Sequence, residues 1–333
     1  AIRVMEILRS EGAEIDQTLV RVNPGYSVSV AKDGDFESRD HSSQPMGLGF
    51  EYVEAAGLAD DAARVADEAH QKLLAAPVEP GDKDLVLLPS HLWLTIHESI
   101  GHSTELDRAF GYEANFAGTS FATFPQTGTL RYAGDHVTFY GDRTTPGALA
   151  TAGWDDDGVP TERWDIVKNG VLVDWQTTRD QAAWIGAAKG HACSYADSWG
   201  SVPFQRMPNV SLAPGAAPTT VEQLVGGVQD GVLIEGTGSY SIDQQRLNFQ
   251  FGGDMAWEIR GGQKGKVVRH AAYQSTSTTF WNALDALGGP ATWAMGGSMY
   301  DGKGEPMQVN PVSHGCPASR FRRVRVLDSR GSS

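Results

Sequence analysis

Apolar and polar positions alternate along the first part of the chain. Leu19–Val22 and Tyr26–Ala31 both run with a period of two, and Asn23-Pro24-Gly25 breaks them. That pattern predicts two strands joined as a hairpin. The period then changes. EYVEAAGLADDAARVADEAHQKLLAAP, residues 51–77, places its apolar residues at helical spacing and predicts one amphipathic helix ending before Pro77. DKDLVLLPS predicts a short buried strand, and the stretch from His91 to about Phe110 predicts a second helix. From Gly118 onward Gly, Thr and aromatic residues become frequent, and short strands alternate with turn signals. KNGVLVDWQT predicts an Asn-Gly hairpin, and TRDQAAWIGAA and STSTTFWNALDALGG predict short helices. GVLIEGTGSYSID, RLNFQFGGDMAWEIRGGQKGKVVRHAAYQ and FRRVRVLD are strand-rich. The expected class is α+β: a large, twisted, mainly antiparallel, barrel-like sheet domain with a few helices.

Composition narrows the function classes. The chain has 333 residues, 40% hydrophobic and 20% charged, enough for a sizeable core. Its formal net charge of −14 repels phosphates, which excludes a general nucleic-acid binder. The basic stretch RFRRVRV, Arg320–Val326, alternates like a strand and reads as one solvated face. Two cysteines, Cys193 and Cys316, do not make a disulfide framework. No apolar run reaches the length of about 18 residues that a membrane span requires. The start, AIRVMEILRSEG, lacks an initiating Met and the layout of a secretory signal, so a processed form or fragment in the cytoplasm is expected. Trp154, Trp164, Trp175 and Trp184 read as strand and hairpin packing. Tyr240, near Gly236 and Gly238, is a candidate groove residue.

The candidate chemistry lies in TIHESIGHSTELD, residues 95–107. His97 and His102 stand five apart, one more than in the H-E-x-x-H zinc motif. At about 100° per residue, a spacing of four leaves two rings some 40° apart, and a spacing of five leaves about 140°. Two ligands at this spacing therefore require a π-bulge or local unwinding, and Gly101 is where the distortion meets least hindrance. Glu98 follows the first histidine, the position of a general base in metalloproteases. Glu105 and Asp107 are candidate acceptors for ring N–H groups, or Glu105 a further ligand. A polar helix with two surface histidines is the bland alternative. A third ligand has to come from elsewhere: Cys316 in a Gly-Cys-Pro turn near His314, or Cys193, two residues after His191. Either cysteine could equally be a small buried thiol.

HESIGHSTELD followed by AGTSF resembles the H-E-x-x-G-H-x-x-E-x-D stretch and Gly-Thr-Ser of the TldD/PmbA metallopeptidases. DDDGVPTERWDIVKNGVLVDWQTTRDQA, QRMPNVSLAPG, FQFGGDMAWEIRGGQKG and SHGCPASRFRRVRV are similar to later family segments and fall in the same order. The resemblance runs from about residue 10 to the end. It implies an active, TldD-like subunit with His97, His102 and Cys316 as metal ligands, Glu98 as catalytic acid/base and zinc as the metal. It also implies unfolded or short peptides as substrates, bound as an added β-strand, and a homodimer or a heterodimer with a PmbA/TldE-like subunit. Family chains carry a fuller α/β domain before the metal helix. Residues 1–90 are thus expected to be a partial N-terminal domain, and 91–333 the metallopeptidase C-terminal domain. The segment between the metal helix and Gly-Thr-Ser, FGYEANFAGTSF, is longer than the TldD type leads one to expect.

The leading expectation is a zinc peptidase, with Arg206 and His314 as secondary candidates for oxyanion contacts beside plainer roles as a salt bridge and a turn histidine. The alternatives are an amidase tailoring a peptide-like natural product at the same site, and a non-catalytic peptide-binding subunit. The intact set of His97, Glu98 and His102 argues against the last.

Overall fold

Leu85, Val86 and Leu87 follow one another and all three are fully buried. A strand apolar on both faces belongs in the middle of a covered sheet. In the computed structural model, which describes residues 2–8, 12 and 14–331, Gly81–Leu87 takes that place. It pairs antiparallel with Ser319–Asp328 and parallel with Asp230–Glu235. On one side of this pair of contacts the sheet continues through Ala271–Thr276 and Asn248–Gly252 to the edge strand Tyr240–Ile242. On the other it continues through Met255–Arg260 to Gln263–Val268, and Leu284–Leu287 pairs with the far end of Ser319–Asp328. The fold is therefore mixed α+β and dominated by one large, mainly antiparallel sheet, as the pattern predicts.

Aromatic rings fill one face of this sheet. Phe280 and Trp281, on the helix Ser277–Asn282, are fully buried. Phe280 stacks on Phe321 at 4.2 Å and on Tyr273 at 5.4 Å. Trp281 meets Phe139 edge-on at 4.8 Å. Phe139 belongs to a second sheet, ordered Asn209–Leu212, Phe139–Asp142, Arg163–Lys168, Val171–Leu172. Its last two strands turn at Asn169-Gly170, with φ of 49° and 76°, the left-handed pair that an Asn-Gly hairpin needs. A separate hairpin, Ala294–Lys303 with Gln308–Cys316, lies against the helix Pro89–Ile96. That helix is thus held between the hairpin and the sheets.

The N-terminal part departs from the pattern in two places. Leu19–Val22 and Tyr26–Ala31 do not pair with each other. Glu14–Val20 pairs with Ile2–Leu8, and Gly25–Lys32 pairs with Asp35–Ser42. The turn is Asp33-Gly34, at φ 51° and 86°, a stronger hairpin signal than Asn-Pro-Gly because both residues accept the left-handed conformation. The single helix expected over 51–77 is interrupted. Gly57 turns left-handed at φ 59° and separates Phe50–Ala55 from Leu58–Asp61 and Ala62–Leu74. Gly81–Leu87 is inside the large sheet, and buried Arg39 pairs with Glu68, Glu235 and Asp254.

Replacing Phe280 with Ala leaves a cavity among Phe321, Tyr273 and Trp281. The expected loss is about 3–5 kcal/mol of unfolding free energy, read from urea denaturation. A change below about 1 kcal/mol contradicts this account of the core.

Candidate metal centre

Pro89 opens the site helix, where a missing N–H costs nothing, and Pro89–Ile96 is regular α. His97–Gly101 is a π-helical turn in which the His102 N–H reaches back five residues to His97 O. This is the extra residue that the five-residue spacing requires. A 3₁₀ turn, His102–Thr104, and a short helix, Leu106–Ala109, complete the segment. Hydroxyls bond back onto the helix carbonyls: Ser99 to Thr95 O, Ser103 to Ser99 O and Thr104 to Ile100 O. Gln176 Nε2 donates to Gly101 O at 2.5 Å, and Trp281 Nε1 to Ser99 Oγ at 2.8 Å. Gly101 keeps an ordinary right-handed backbone, so its role is space: a Cβ there would meet Met207 Sδ at 2.5 Å.

Two more bonds fix the helix to the large sheet. His91 Nδ1 lies 2.8 Å from Gly236 O, and Nε2 lies 3.0 Å from the Tyr273 hydroxyl. A carbonyl only accepts, so Nδ1 carries the proton and the tyrosine O–H donates to Nε2. Thr95 Oγ1 is 2.8 Å from the same hydroxyl. Burial pushes the His91 pKa down to about 4, and the ring is neutral.

The two predicted histidines converge. Their ring centroids are 4.6 Å apart at 75°. Hydrogen bonds set both tautomers. His314 Nδ1 is 2.7 Å from Val210 O, so it donates there and its Nε2 accepts. His97 Nδ1, 2.8 Å from His314 Nε2, is then the donor, and His97 Nε2 keeps its lone pair. Burial and the neighbouring His97 hold the His314 pKa well below the usual imidazole range, as an acceptor requires. His102 Nδ1 donates to Glu105 Oε2 at 3.0 Å, which leaves His102 Nε2 free in the same way.

The third donor is Asp301, which sequence reasoning did not single out. Its Oδ1 lies 3.5 Å from His97 Nε2 and 3.4 Å from His102 Nε2. Donor atoms of His97, His102 and Asp301 all lie within 4.8 Å of one another, and all three residues are buried. Burial alone would raise the Asp301 pKa, but His102 and His97, in their protonated forms, hold it well below the usual carboxylate range, and a cation taking the place of those protons would favour the ionised carboxylate for the same reason. Arg206 grips the other oxygen at 3.3 Å and the Asp301 carbonyl at 2.5 Å. Arg206 is therefore a buried ion-pair partner of Asp301, the plainer of its two expected roles. A four-coordinate ion with bonds of about 2.0–2.1 Å has donors some 3.3–3.4 Å apart, so both nitrogen-to-carboxylate distances match a zinc-sized cation.

Cys316 stands elsewhere. It pairs with Ala294 at the end of the hairpin, and its Sγ approaches Pro89 O at 3.9 Å. Its sulfur does not join the His97, His102 and Asp301 donors. Burial raises its pKa, and no cation offsets that, so it stays a protonated thiol. Cys193 is a second buried thiol, with its pKa pushed up to about 12. His191, beside it in sequence, pairs instead with Glu162 and Asp174.

Behind the donors lies a closed set of buried charges. Lys303 Nζ bonds Glu105 Oε1 at 3.1 Å, Asp107 Oδ1 at 2.8 Å and Gln205 O at 3.0 Å. Arg108 Nε donates to Glu105 Oε2 at 3.0 Å. Glu105 is thus the acceptor behind His102, and Asp107 pairs with Lys303 and not with a ring. In front is a cleft of about 410 Å³ lined by Trp93, Glu98, Tyr240, Arg246 and Tyr300 together with His97, His102 and Asp301. Tyr240 lies on the sheet edge, as a groove residue should. Arg246 touches Glu98 Oε2 through Nη1.

Residues 80–328 match the family model of the PmbA/TldA metallopeptidase C-terminal domain. A metalloprotease of Methanothermobacter thermautotrophicus is 27% identical over 320 residues, covering 96% of this chain and 66% of its own length. A zinc metalloprotease TldD homolog of Saccharolobus solfataricus is 21% identical over 306 residues, covering 89% of this chain and 63% of its own length. The chain thus spans only part of the curated relatives it matches. Among solved structures, TldE from Thermococcus kodakarensis superposes with a TM-score of 0.69 at 15% identity, over 95% of this chain and 65% of that one. That likeness speaks for the fold.

His91 makes stability depend on pH. Its folded pKa, about 4, is below the unfolded value near 6.5, so the unfolded chain takes up the proton first. Stability is therefore lost as pH falls from about 6.5 to about 4, by about 3 kcal/mol from this group. His91→Gln keeps a donor and an acceptor without titrating. Urea unfolding at neutral and at acid pH should show a smaller acid loss in the variant than in the parent. Equal losses would remove His91 from the account.

Proposed function

Because the chain belongs to the PmbA/TldD metallopeptidase family, we propose that it is a zinc-dependent peptidase in which His97, His102 and Asp301 hold the metal and Glu98 is the general base. The observation that carries this reading is the convergence of two histidine Nε2 atoms and one carboxylate oxygen, with Glu98 at the same cleft. The tautomer assignments support it, since both free lone pairs belong to the nitrogens nearest Asp301. When bound, the metal supplies a Lewis acid that acidifies water and polarises a carbonyl.

The protein's own residues do the rest. Glu98 Oε2 is engaged by Arg246, which leaves Oε1 to take the proton from the attacking water and pass it to the leaving amine. Asp301, kept ionised, brings negative charge to the donor set, and Arg206 fixes its orientation. An extended peptide suits the cleft. Tyr240–Ile242 is the last strand of its sheet, and Ala294–Lys303 pairs on one side only, with Gln308–Cys316, among the described residues. Both border the cleft and offer backbone groups to a bound strand, with affinity from main-chain bonds and little side-chain selection. A second copy or a PmbA/TldE-like subunit is the partner we propose to complete the walls of the site.

Metal analysis separates the donors. Asp301→Ala and His102→Ala should lose stoichiometric zinc, whereas Cys316→Ala should keep it. Zinc that disappears with Cys316 and survives the loss of Asp301 would reverse the assignment. Glu98→Gln should retain the metal and lose about 100- to 10,000-fold in kcat on an unstructured peptide, the usual contribution of a general base. Undiminished hydrolysis in that variant would remove Glu98 from the role.

A further inference from the structure

Arg246 bears two costs. Its backbone is left-handed, at φ 63°, where a side chain with a Cβ is strained. Its Nε is buried and lacks a hydrogen-bond partner. The turn and its neighbours enforce the first. Asp243 accepts from Leu247 N at 2.9 Å and Asn248 N at 3.0 Å, and the Arg246 N–H donates to Asp243 O at 3.0 Å. From outside, Ser277 Oγ holds Arg246 O at 2.6 Å and Phe121 N holds Gln245 O at 2.8 Å. Gly118 lies so close that a Cβ would meet Gln244 O at 2.3 Å. The hairpin between Tyr240–Ile242 and Asn248–Gly252 is therefore clamped from several sides, and the guanidinium is sent into the cleft against Glu98. Strain that the surroundings over-determine is a mark of function and not of stability.

Glu98 needs such a partner. It adjoins His97 in sequence and lines the same cleft, yet its carboxylate is outside the group of donors formed by His97, His102 and Asp301. A free carboxylate this close to a divalent cation would enter the ligand set, and a ligating carboxylate cannot act as base. We propose that Arg246 is a positioning residue that holds the Glu98 carboxylate out of that ligand set and leaves its second oxygen free for the proton. This rests on the metal-site reading above. It assigns Arg246 a role that neither the motif spacing nor the family resemblance contains.

The test uses Arg246→Gly, because glycine adopts the left-handed backbone without strain and the hairpin should keep its shape. Co²⁺ replaces zinc as probe, since its visible spectrum reports coordination number whether or not any peptide is cleaved. Removing the guanidinium should weaken the visible bands of low-coordinate cobalt as Glu98 joins the ligands. The double variant Glu98→Gln/Arg246→Gly should restore the parent spectrum. An unchanged spectrum in the single variant, or a change that persists in the double variant, overturns the proposal. On a peptide substrate, Arg246→Gly should lower kcat about 100-fold with KM little altered, and added guanidinium ion should recover part of the rate. A parent that binds cobalt but cleaves no peptide would defeat the peptidase reading, and the cobalt spectra would still decide the role of Arg246.

Discussion

One backbone hydrogen bond organises the site: His102 N–H to His97 O across five residues. A regular helix would direct the two rings to different sides, and no donor set would form between them. The π turn rotates His102 back over His97, but it leaves carbonyls that the α pattern would have used. The sequence supplies their partners locally, through Ser99, Ser103 and Thr104, and from a distance through Gln176, while Trp281 donates to the Ser99 hydroxyl and fixes it in place. Polar residues that look unremarkable on a helix are thus what makes the distortion tolerable. The close approach of Met207 to Gly101 fills the space that a side chain would otherwise occupy.

Charge is managed in two layers. The donors face the cleft, and behind them Glu105, Asp107, Arg108 and Lys303 form a set with each charge paired. Buried ions left single are expensive, so this arrangement adds less to stability than to geometry. It fixes Glu105 where it can hold the tautomer of His102. His97 is held differently, by a neutral imidazole, His314, which in turn gives its own proton to a backbone carbonyl. A carboxylate behind each ring would have put more negative charge around a site that already contains Asp301 and Glu98.

The sequence spacing of His97 and His102 was enough to require a bent helix, because helical rotation per residue is a fixed quantity. The apolar run Leu85–Leu87 announced a central strand for the same kind of reason. Asp301 was not legible. It sits in SMYDGKGEP, a stretch that reads as any polar turn, and only the register of the hairpin and its docking on the helix bring it to the rings. Lys303 and Arg246 were hidden likewise, since each owes its role to what it faces across the fold, and Arg206 was in view only without its partner. Cys316 reads as a candidate because a thiol in a turn is a natural ligand type, whereas its sulfur lies outside the group formed by His97, His102 and Asp301. Its burial against Pro89 is a tertiary fact, and its local sequence looks the same in either role. The N-terminal pairing failed for a simpler reason: Asp33-Gly34 competes with Asn23-Pro24-Gly25, and the two-residue turn wins.

The order of the strands has a temporal meaning. Ser319–Asp328, from the last part of the chain, lies in the interior of the large sheet, between Ala271–Thr276 and Gly81–Leu87. Asp301 and His314 come from the hairpin made just before it. During synthesis the half of the sheet that holds the site helix and the half that holds the aromatic core have no strand to join them until this segment emerges. The histidines are made early and wait without their carboxylate. The group of His97, His102 and Asp301 is therefore complete only once this hairpin has been made, and a nascent chain carries the histidine motif without the carboxylate that faces it.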